Sequence, residues 1–252
     1  MLTVDLNADL GESYGNYAIG NDDEIIPLIS SANVACGFHA GDPSVMLKTV
    51  ELIRESGGTG IGAHPSYPDL MGFGRRYMEL SMPEVRSLMF YQLGALDGFA
   101  KVAGLGMNHV KPHGALYNAT FNDEVLAKTI AEAVHDYNPE LKLLGLSNQN
   151  LVKAGEEAGL EVRHEVFADR AYEDDGTLVS RRKEGAMITD TDHAVERVIR
   201  MVREGRVESI GGRDIDIQAD SICVHGDGPK ALEFVSEIRR QLGENGIKIK
   251  TM

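Results

Sequence analysis

Short apolar runs alternate with amphipathic helical segments along the whole chain. This alternation predicts a parallel sheet whose strands are connected by helices. Proline and an acidic or hydroxyl residue mark several of the predicted helix starts, and glycine marks several of the ends. The predicted strands lie at 2–9, 31–37, 60–63, 107–111, 141–146, 160–167 and 221–224, with short pieces at 215–217 and 247–249. The first predicted helix begins near residue 23, and the others lie at about 43–56, 83–104, 123–137, 151–158, 192–205 and 230–242.

The first predicted strand alternates strictly between apolar and polar residues. Every second residue from Leu2 to Ala8 is apolar, and the other face carries Asp5, Asn7 and Asp9. An edge strand with its polar side in water gives this pattern. A barrel strand whose polar side lines the barrel mouth gives it as well. On the second interpretation, Asp9 is a candidate catalytic residue and Asn7 a candidate substrate-binding residue.

Histidines follow four of the predicted strands. His39, His64, His113 and His225 each come directly after a different strand, and they are half of the eight histidines in the chain. In β/α barrels the carboxyl ends of the strands carry the chemistry. We therefore predict that these histidines meet at one site. Asp227 shares a face with His225, and both are candidates for binding the substrate.

Residues 108–118 (NHVKPHGALYN) concentrate polar chemistry behind a buried strand. His109 and Lys111 are two residues apart and therefore point to the same face of the strand. Lys111 and His113 are candidate catalytic residues, and Tyr117 is a candidate substrate-binding residue. The alternative is a hydrogen-bonded core histidine beside a salt-bridged lysine, because buried polar groups must be paired.

Two further patterns, an arginine in a loop and a run of glycines, concern the ligands that the protein could bind. Arg75, in the long loop after the third strand, could bind a carboxylate or phosphate, or could pair with Glu79 or Glu84 on the surface. Residues 57–62 (GGTGIG) resemble a nucleotide-binding loop, but they follow a helix and lead into a strand. The dinucleotide fingerprint requires the opposite order. Gly60 and Gly62 therefore indicate a closely packed strand.

Chain length, charge and composition limit the number of domains and the kinds of partner that we expect. A chain of 252 residues fits one α/β barrel or two small domains. Since strands and helices alternate without a visible linker, we predict a single domain over residues 1–252. The net charge of −14 opposes binding to nucleic acid or to an anionic membrane. With two cysteines, no basic and apolar leader and no membrane-length apolar run, the expected location is the cytoplasm.

Several segments of the chain resemble signature segments of the LamB/YcsF family. The resemblance covers essentially the whole length, and the segments are long enough to make chance agreement negligible. They are residues 5–12 (DLNADLGE), 32–42 (ANVACGFHAGD), 62–69 (GAHPSYPD), 110–117 (VKPHGALY) and 224–227 (VHGD).

The resemblance implies a fold and an activity. The implied fold is a distorted, seven-stranded (β/α) barrel of the glycoside hydrolase and deacetylase type. The implied reaction converts 5-oxo-L-proline, ATP and water into L-glutamate, ADP and phosphate. It also implies two partner subunits, B and C, and ATP as a co-substrate that is bound together with them.

Chemistry, and not the resemblance, assigns the candidate roles. A lactam is a stable amide, and phosphorylation of its oxygen by ATP would create a leaving group. Asp9 and His64 are candidate bases for water. Lys111 and His113 are candidate electrophiles. His39 is a candidate substrate-binding residue, and it could orient the substrate together with Asn7.

Two other functions stay open at the level of sequence. In a metal-dependent deacetylase or related hydrolase, Asp9, His64 and His113 would form a site with an open coordination position. We assign no metal ligands from sequence, and a divalent metal stays an open question. The second alternative is a non-catalytic binding or regulatory subunit. The chain contains no Gly-x-x-x-x-Gly-Lys-Ser/Thr phosphate loop, so we expect partner subunits to share the nucleotide step.

Overall fold

A computed structural model describes residues 2–224 and 231–252. The predictions for His225 and Asp227 lie outside the described residues. The strands are β1 (Leu2–Leu10), β2 (Ser31–Ala35), β3 (Gly60–His64), β4 (Met107–Val110), β5 (Lys142–Leu146), β6 (Val162–Phe167), β7 (Arg206–Glu208), β8 (Asp214–Asp216), β9 (Ser221–Val224) and β10 (Ile247–Ile249).

Parallel strands close into a barrel, which confirms the predicted fold class. Within residues 2–224 and 231–252, seven strands pair in the order β1-β2-β3-β4-β5-β6-β9, and β9 pairs back with β1. The first and the last barrel strands are joined through Asp5 opposite Ser221 and Ala8 opposite Val224. Outside the barrel, β10 extends the beginning of β1, and β7 and β8 form a separate antiparallel pair. The sequence signalled β8 but not β7.

Helices connect most of the barrel strands. They are α1 (Asp22–Ile25), α2 (Pro43–Ser56), α3 (Met82–Val102), α4 (Gly114–Ala119), α5 (Glu124–Tyr137), α6 (Asn150–Glu157), α7 (Thr191–Glu204) and α8 (Ala231–Glu244). Acidic caps explain where two of them begin, because Asp42 accepts from the Ser44 and Val45 amides, and Asp123 accepts from the Leu126 amide. The cap of α7 is Asp190, which accepts from the His193 amide. None of the helices in the described ranges is long and apolar enough to cross a membrane.

The barrel interior is polar along β1, as the alternating pattern predicts. Asp5 is 2% exposed and accepts hydrogen bonds from the hydroxyls of Ser30, Ser31 and Ser221 at the amino end of the barrel. Burial raises the pKa of Asp5, and these hydroxyls oppose the increase. Hydroxyl donors are what a buried carboxyl group needs to compensate for lost water.

Glycine at position 62 makes room for a histidine from the next strand. A Cβ atom on Gly62 would lie 2.1 Å from Nε2 of His109. Nε2–H of His109 donates a hydrogen bond at 2.7 Å to Oδ1 of Asn33 on β2, on the far side of β3. The predicted close packing of this glycine strand is therefore present, and its physical reason is the imidazole that crosses over it.

Candidate active site

A cavity of about 680 Å³ opens at the carboxyl ends of the barrel strands. This is the end at which barrel enzymes carry their chemistry, and the volume is in the ordinary range for small-molecule sites. The described residues that line it include Asp9, Glu12, His64, Phe73, Arg75, Lys111, His113, Tyr117, Asn118, Phe167, Arg170, Asp175, Ser180, Arg181 and Arg182.

Lys111 lies at the bottom of this cavity between two carboxylates. Its Nζ is 3.0 Å from Oδ1 of Asp9 and 2.8 Å from Oε1 of Glu165. The same atom is 3.3 Å from Sγ of Cys223 and lies 5.5 Å from the centre of the Phe167 ring. Burial lowers the pKa of Lys111, but the neighbouring Asp9 and Glu165 carboxylates outweigh it and raise that pKa well above its ordinary value. Lys111 is therefore an ammonium ion held in place by its counterions.

Asn7 lies one layer deeper, beneath the cavity. Its Oδ1 accepts from Asn33 at 2.8 Å and from Lys111 at 3.3 Å, and its Nδ2 donates to Ser221 at 2.7 Å. The residue is fully buried. An amide with these three partners supports the floor of the cavity from below and is not among the residues that line it.

His64 joins Asp9 to the neighbouring strand end. Its Nδ1 is 2.6 Å from the Lys111 carbonyl oxygen. Because a carbonyl oxygen only accepts, Nδ1 carries the proton and Nε2 carries the lone pair in the neutral ring. Nε2 lies 3.2 Å from Oδ2 of Asp9. The carboxylate and the imidazole thus present two basic atoms side by side.

His113 is held by the loop that follows β3. Its Nε2 is 2.9 Å from the carbonyl oxygen of Phe73, a residue with a φ of 54°. A positive φ in a bulky residue is uncommon and marks a backbone that its surroundings hold in place. Gly74 follows with a φ of 62°, and a Cβ atom there would lie 2.8 Å from the His113 ring and 2.7 Å from Cβ of His39. The loop therefore presses its backbone directly against both imidazoles.

His39 stacks on His113 and contacts Glu12. The ring centres of the two histidines are 3.8 Å apart, and Nε2 of His39 is 3.2 Å from Oε1 of Glu12. Burial, reinforced by the neighbouring His64, lowers the pKa of His39 well below its ordinary value. Burial, reinforced by His39, does the same to the pKa of His113. Both rings are thus neutral at pH 7.

Arginines and a long polar segment form the outer wall. Residues 171–185 contribute Asp175, Ser180 and Arg181 to the cavity lining. Arg170 anchors the segment, because its guanidinium donates to the carbonyl oxygen of Val179. Arg75 lies over the Phe73 ring at 5.1 Å. The next arginine, Arg76, instead forms an ion pair with Asp69 that closes the loop on itself.

Glu165 and Glu12 have roles that the sequence did not indicate. Glu165 accepts a hydrogen bond of 2.7 Å from the Tyr117 hydroxyl in addition to its ion pair with Lys111. Its position inside an otherwise apolar strand end was a usable signal, since such an acid requires a counterion. Glu12 follows the polar face of β1, but its meeting with His39 depends on the path of two loops.

The structure brings most of the predicted site residues together. Asp9, His64, Lys111 and His113 form one connected group, with His39 behind His113. Two of the proposed substrate-binding residues, Arg75 and Tyr117, line the same cavity, whereas Asn7 lies beneath it.

Comparisons with known proteins agree with this architecture. The sequence profile of the LamB/YcsF family matches residues 4–252. The A subunit of a 5-oxoprolinase from Staphylococcus haemolyticus is 55% identical over 251 residues, with 100% of each chain covered. The corresponding subunit from Pyrococcus horikoshii is also 55% identical over 251 residues, covering 100% of this chain and 98% of the relative.

Two solved structures share the fold of this chain, one with high and one with low sequence identity. A lactam utilization protein from Thermus thermophilus has a TM-score of 0.94 and 45% sequence identity, with 100% of both chains covered. A deacetylase solved with its substrate has a TM-score of 0.52 and 14% identity, covering 99% of this chain and 88% of that one. The second similarity concerns the fold alone.

Proposed function

The chain belongs to the LamB/YcsF family, and from that premise we propose that it hydrolyses the lactam bond of 5-oxo-L-proline as one component of an ATP-dependent enzyme. The products are L-glutamate, ADP and phosphate. Full-length relatives that are named as the A subunit of 5-oxoprolinase support the proposal. The observation that carries it at the level of chemistry is the contact between Asp9, His64 and Lys111 at the bottom of a cavity.

Asp9 is the proposed general base. Its Oδ1 is held by Lys111 at 3.0 Å and by Asn33 at 2.9 Å, so its Oδ2 points toward His64. The side chain is 15% exposed at the cavity, which leaves space for a water molecule beside it. Proton transfer to a positioned carboxylate or imidazole typically contributes about 10²- to 10⁴-fold to a rate. His64, whose Nε2 lies 3.2 Å from Oδ2 of Asp9, holds that oxygen in place in this proposal.

Lys111 is proposed as a positioning residue for Asp9. An ammonium group has three N–H donors, and its neighbours are Asp9, Glu165 and a third position shared by Asn7 and Cys223. The ammonium therefore stabilises the negative charge of Asp9 from below. His113, predicted as an electrophile, donates its N–H to the Phe73 carbonyl oxygen, so in this proposal it supports the site and does not contact the oxyanion.

Phosphoryl transfer from ATP belongs, in this proposal, to the partner subunits B and C. The chain has no Gly-x-x-x-x-Gly-Lys-Ser/Thr loop, and its cavity of about 680 Å³ is larger than 5-oxoproline requires. The wall carries Arg75, Arg170, Arg181 and Arg182 in a protein whose net charge is −14. Guanidinium groups suit both a carboxylate and a phosphoryl group. The cavity thus accommodates a lactam that has been activated elsewhere.

Reconstitution tests the function. We expect the purified chain alone to form no glutamate from 5-oxo-L-proline and ATP above background, because it lacks a phosphate loop. Addition of purified subunits B and C is expected to start glutamate formation. At fixed amounts of B and C, the rate should rise in proportion to the concentration of this chain and then level off. The control is a mixture of B and C alone. Glutamate formation by the isolated chain would refute the dependence on partners, and an inactive three-component mixture would refute the activity.

A further inference from the structure

Two imidazole lone pairs face each other at the edge of the cavity. Nδ1 of His64 and Nε2 of His113 are both used by backbone carbonyl oxygens, at 2.6 Å and 2.9 Å. In its neutral form each ring would turn its unprotonated nitrogen inward, and these two nitrogens are 2.9 Å apart. Two acceptors at this distance repel each other unless a cation lies beside both.

A carboxylate oxygen and a third imidazole nitrogen lie at the same position. Oε1 of Glu12 lies 3.2 Å from Nε2 of His39 and 3.7 Å from Nδ1 of His113. The four ligand atoms of Glu12, His39, His64 and His113 all lie within 4.8 Å of one another. We propose that these four residues bind a divalent transition-metal ion.

Distances and donor types fit such an ion. Ligand atoms about 2.0 to 2.2 Å from a tetrahedral zinc ion lie about 3.3 to 3.6 Å from each other. The observed separations of 2.9, 3.2 and 3.7 Å bracket this range. Three imidazoles and one carboxylate suit Zn²⁺ and its neighbours better than Mg²⁺ or Ca²⁺, which prefer oxygen ligands. This set differs from Asp9, His64 and His113, the set that the sequence left open.

Hydrogen bonds orient two of the proposed ligands in the way that is usual for metal-binding histidines. Metal-binding histidines usually donate their other N–H to a carbonyl or carboxylate group, and this bond fixes the tautomer. Both His64 and His113 do so. Each of the four ligands follows, or ends, a different one of the consecutive strands β1 to β4. An ion bound here would lie beside Asp9 and could polarise a carbonyl oxygen of a ligand in the cavity.

Zinc binding by the purified full chain tests the proposal. The chain is stripped with a chelator and titrated with Zn²⁺ by calorimetry, and its metal content after gel filtration is measured by mass spectrometry. We expect one Zn²⁺ per chain and a higher melting temperature with zinc. Glu12→Gln and His39→Gln should each weaken binding by more than the roughly 10- to 100-fold that follows the loss of an outer-shell partner.

Matched controls make the result decisive. His135→Gln removes an exposed histidine next to Asp136 and should bind zinc like the parent protein. Melting without metal verifies that each variant is folded, and Glu12→Gln alone suffices if His39→Gln does not fold. A parent chain that binds no zinc would overturn the proposal and indicate a proton shared by His64 and His113. So would equal zinc affinity in the parent and in the folded Glu12 variant. The readout is binding, so it is independent of lactam hydrolysis.

Discussion

The Lys111→Met variant is expected to melt roughly 6 to 20 °C below the parent protein. The substitution leaves the Asp9 and Glu165 carboxylates without the ammonium that lies 3.0 and 2.8 Å from them. Removal of one partner from a buried ion pair costs about 3 to 5 kcal/mol, and each kcal/mol shifts the melting temperature by about 2 to 4 °C in a protein of this size. Methionine retains most of the apolar stem, so lost packing contributes little.

Two companion variants identify the cause of this loss. Lys101→Met removes a lysine that is 72% exposed and paired with Asp97 on α3, and should cost less than about 1 kcal/mol. In the Lys111→Met/Glu165→Gln double variant one of the uncompensated charges is gone, so part of the lost stability should return. Additive effects of the two substitutions would contradict the ion-pair explanation.

Activity separates a supporting role in catalysis from a purely structural one. If Lys111 stabilises ionised Asp9, turnover per folded Lys111→Met molecule in the complex should fall about 100-fold or more, the scale on which one electrostatic contact acts. A variant that melts much lower but keeps full specific activity would make Lys111 structural only.

Asp9→Asn is expected to lower the turnover of the proposed complex with subunits B and C by about 10²- to 10⁴-fold. Because Glu165 remains as a counterion of Lys111, it should cost less stability than Lys111→Met. Asparagine keeps the shape of the side chain, and its Oδ1 can still accept from Lys111 and Asn33. Its amide can donate to Nε2 of His64, which lies 3.2 Å from Oδ2 of Asp9. The variant therefore loses a proton acceptor but can keep its hydrogen bonds to these three residues.

The decline should appear in kcat and not in KM, because the proposed role of Asp9 is in proton transfer and not in binding. Asp214→Asn is a matched control, since Asp214 lies on the surface and pairs with Arg200. Near-parent kcat in a folded Asp9→Asn complex would exclude Asp9 as the base and leave His64 as the candidate.

Much of the site could be predicted because strand periodicity and barrel geometry are both strict. Alternation along β1 placed Asp5, Asn7 and Asp9 on one face, and the closed barrel turns that face inward. The strand-end position of His39, His64 and His113 sufficed to predict that they would meet, since parallel strands end at the same rim. The single-domain organisation and the individual residue roles stay predictions.

Contacts between strands and loops could not be predicted in the same way. The spacing of His109 and Lys111 gives their common face, but not the partner across the barrel, which depends on the stagger of the strands. Glu165 was therefore missed as the counterion of Lys111. The bond from His113 to the Phe73 carbonyl depends on a loop that doubles back, with a positive φ that no pattern of apolar residues signals.

A crystal structure of the chain with bound 5-oxo-L-proline tests the proposed site most directly. We expect the lactam ring in the cavity at the carboxyl ends of the strands, with its carboxylate against an arginine of the wall. The ring carbonyl should lie one water molecule away from Oδ2 of Asp9. A lactam bound elsewhere, or bound with its carbonyl turned away from both Asp9 and His64, would contradict the proposed site.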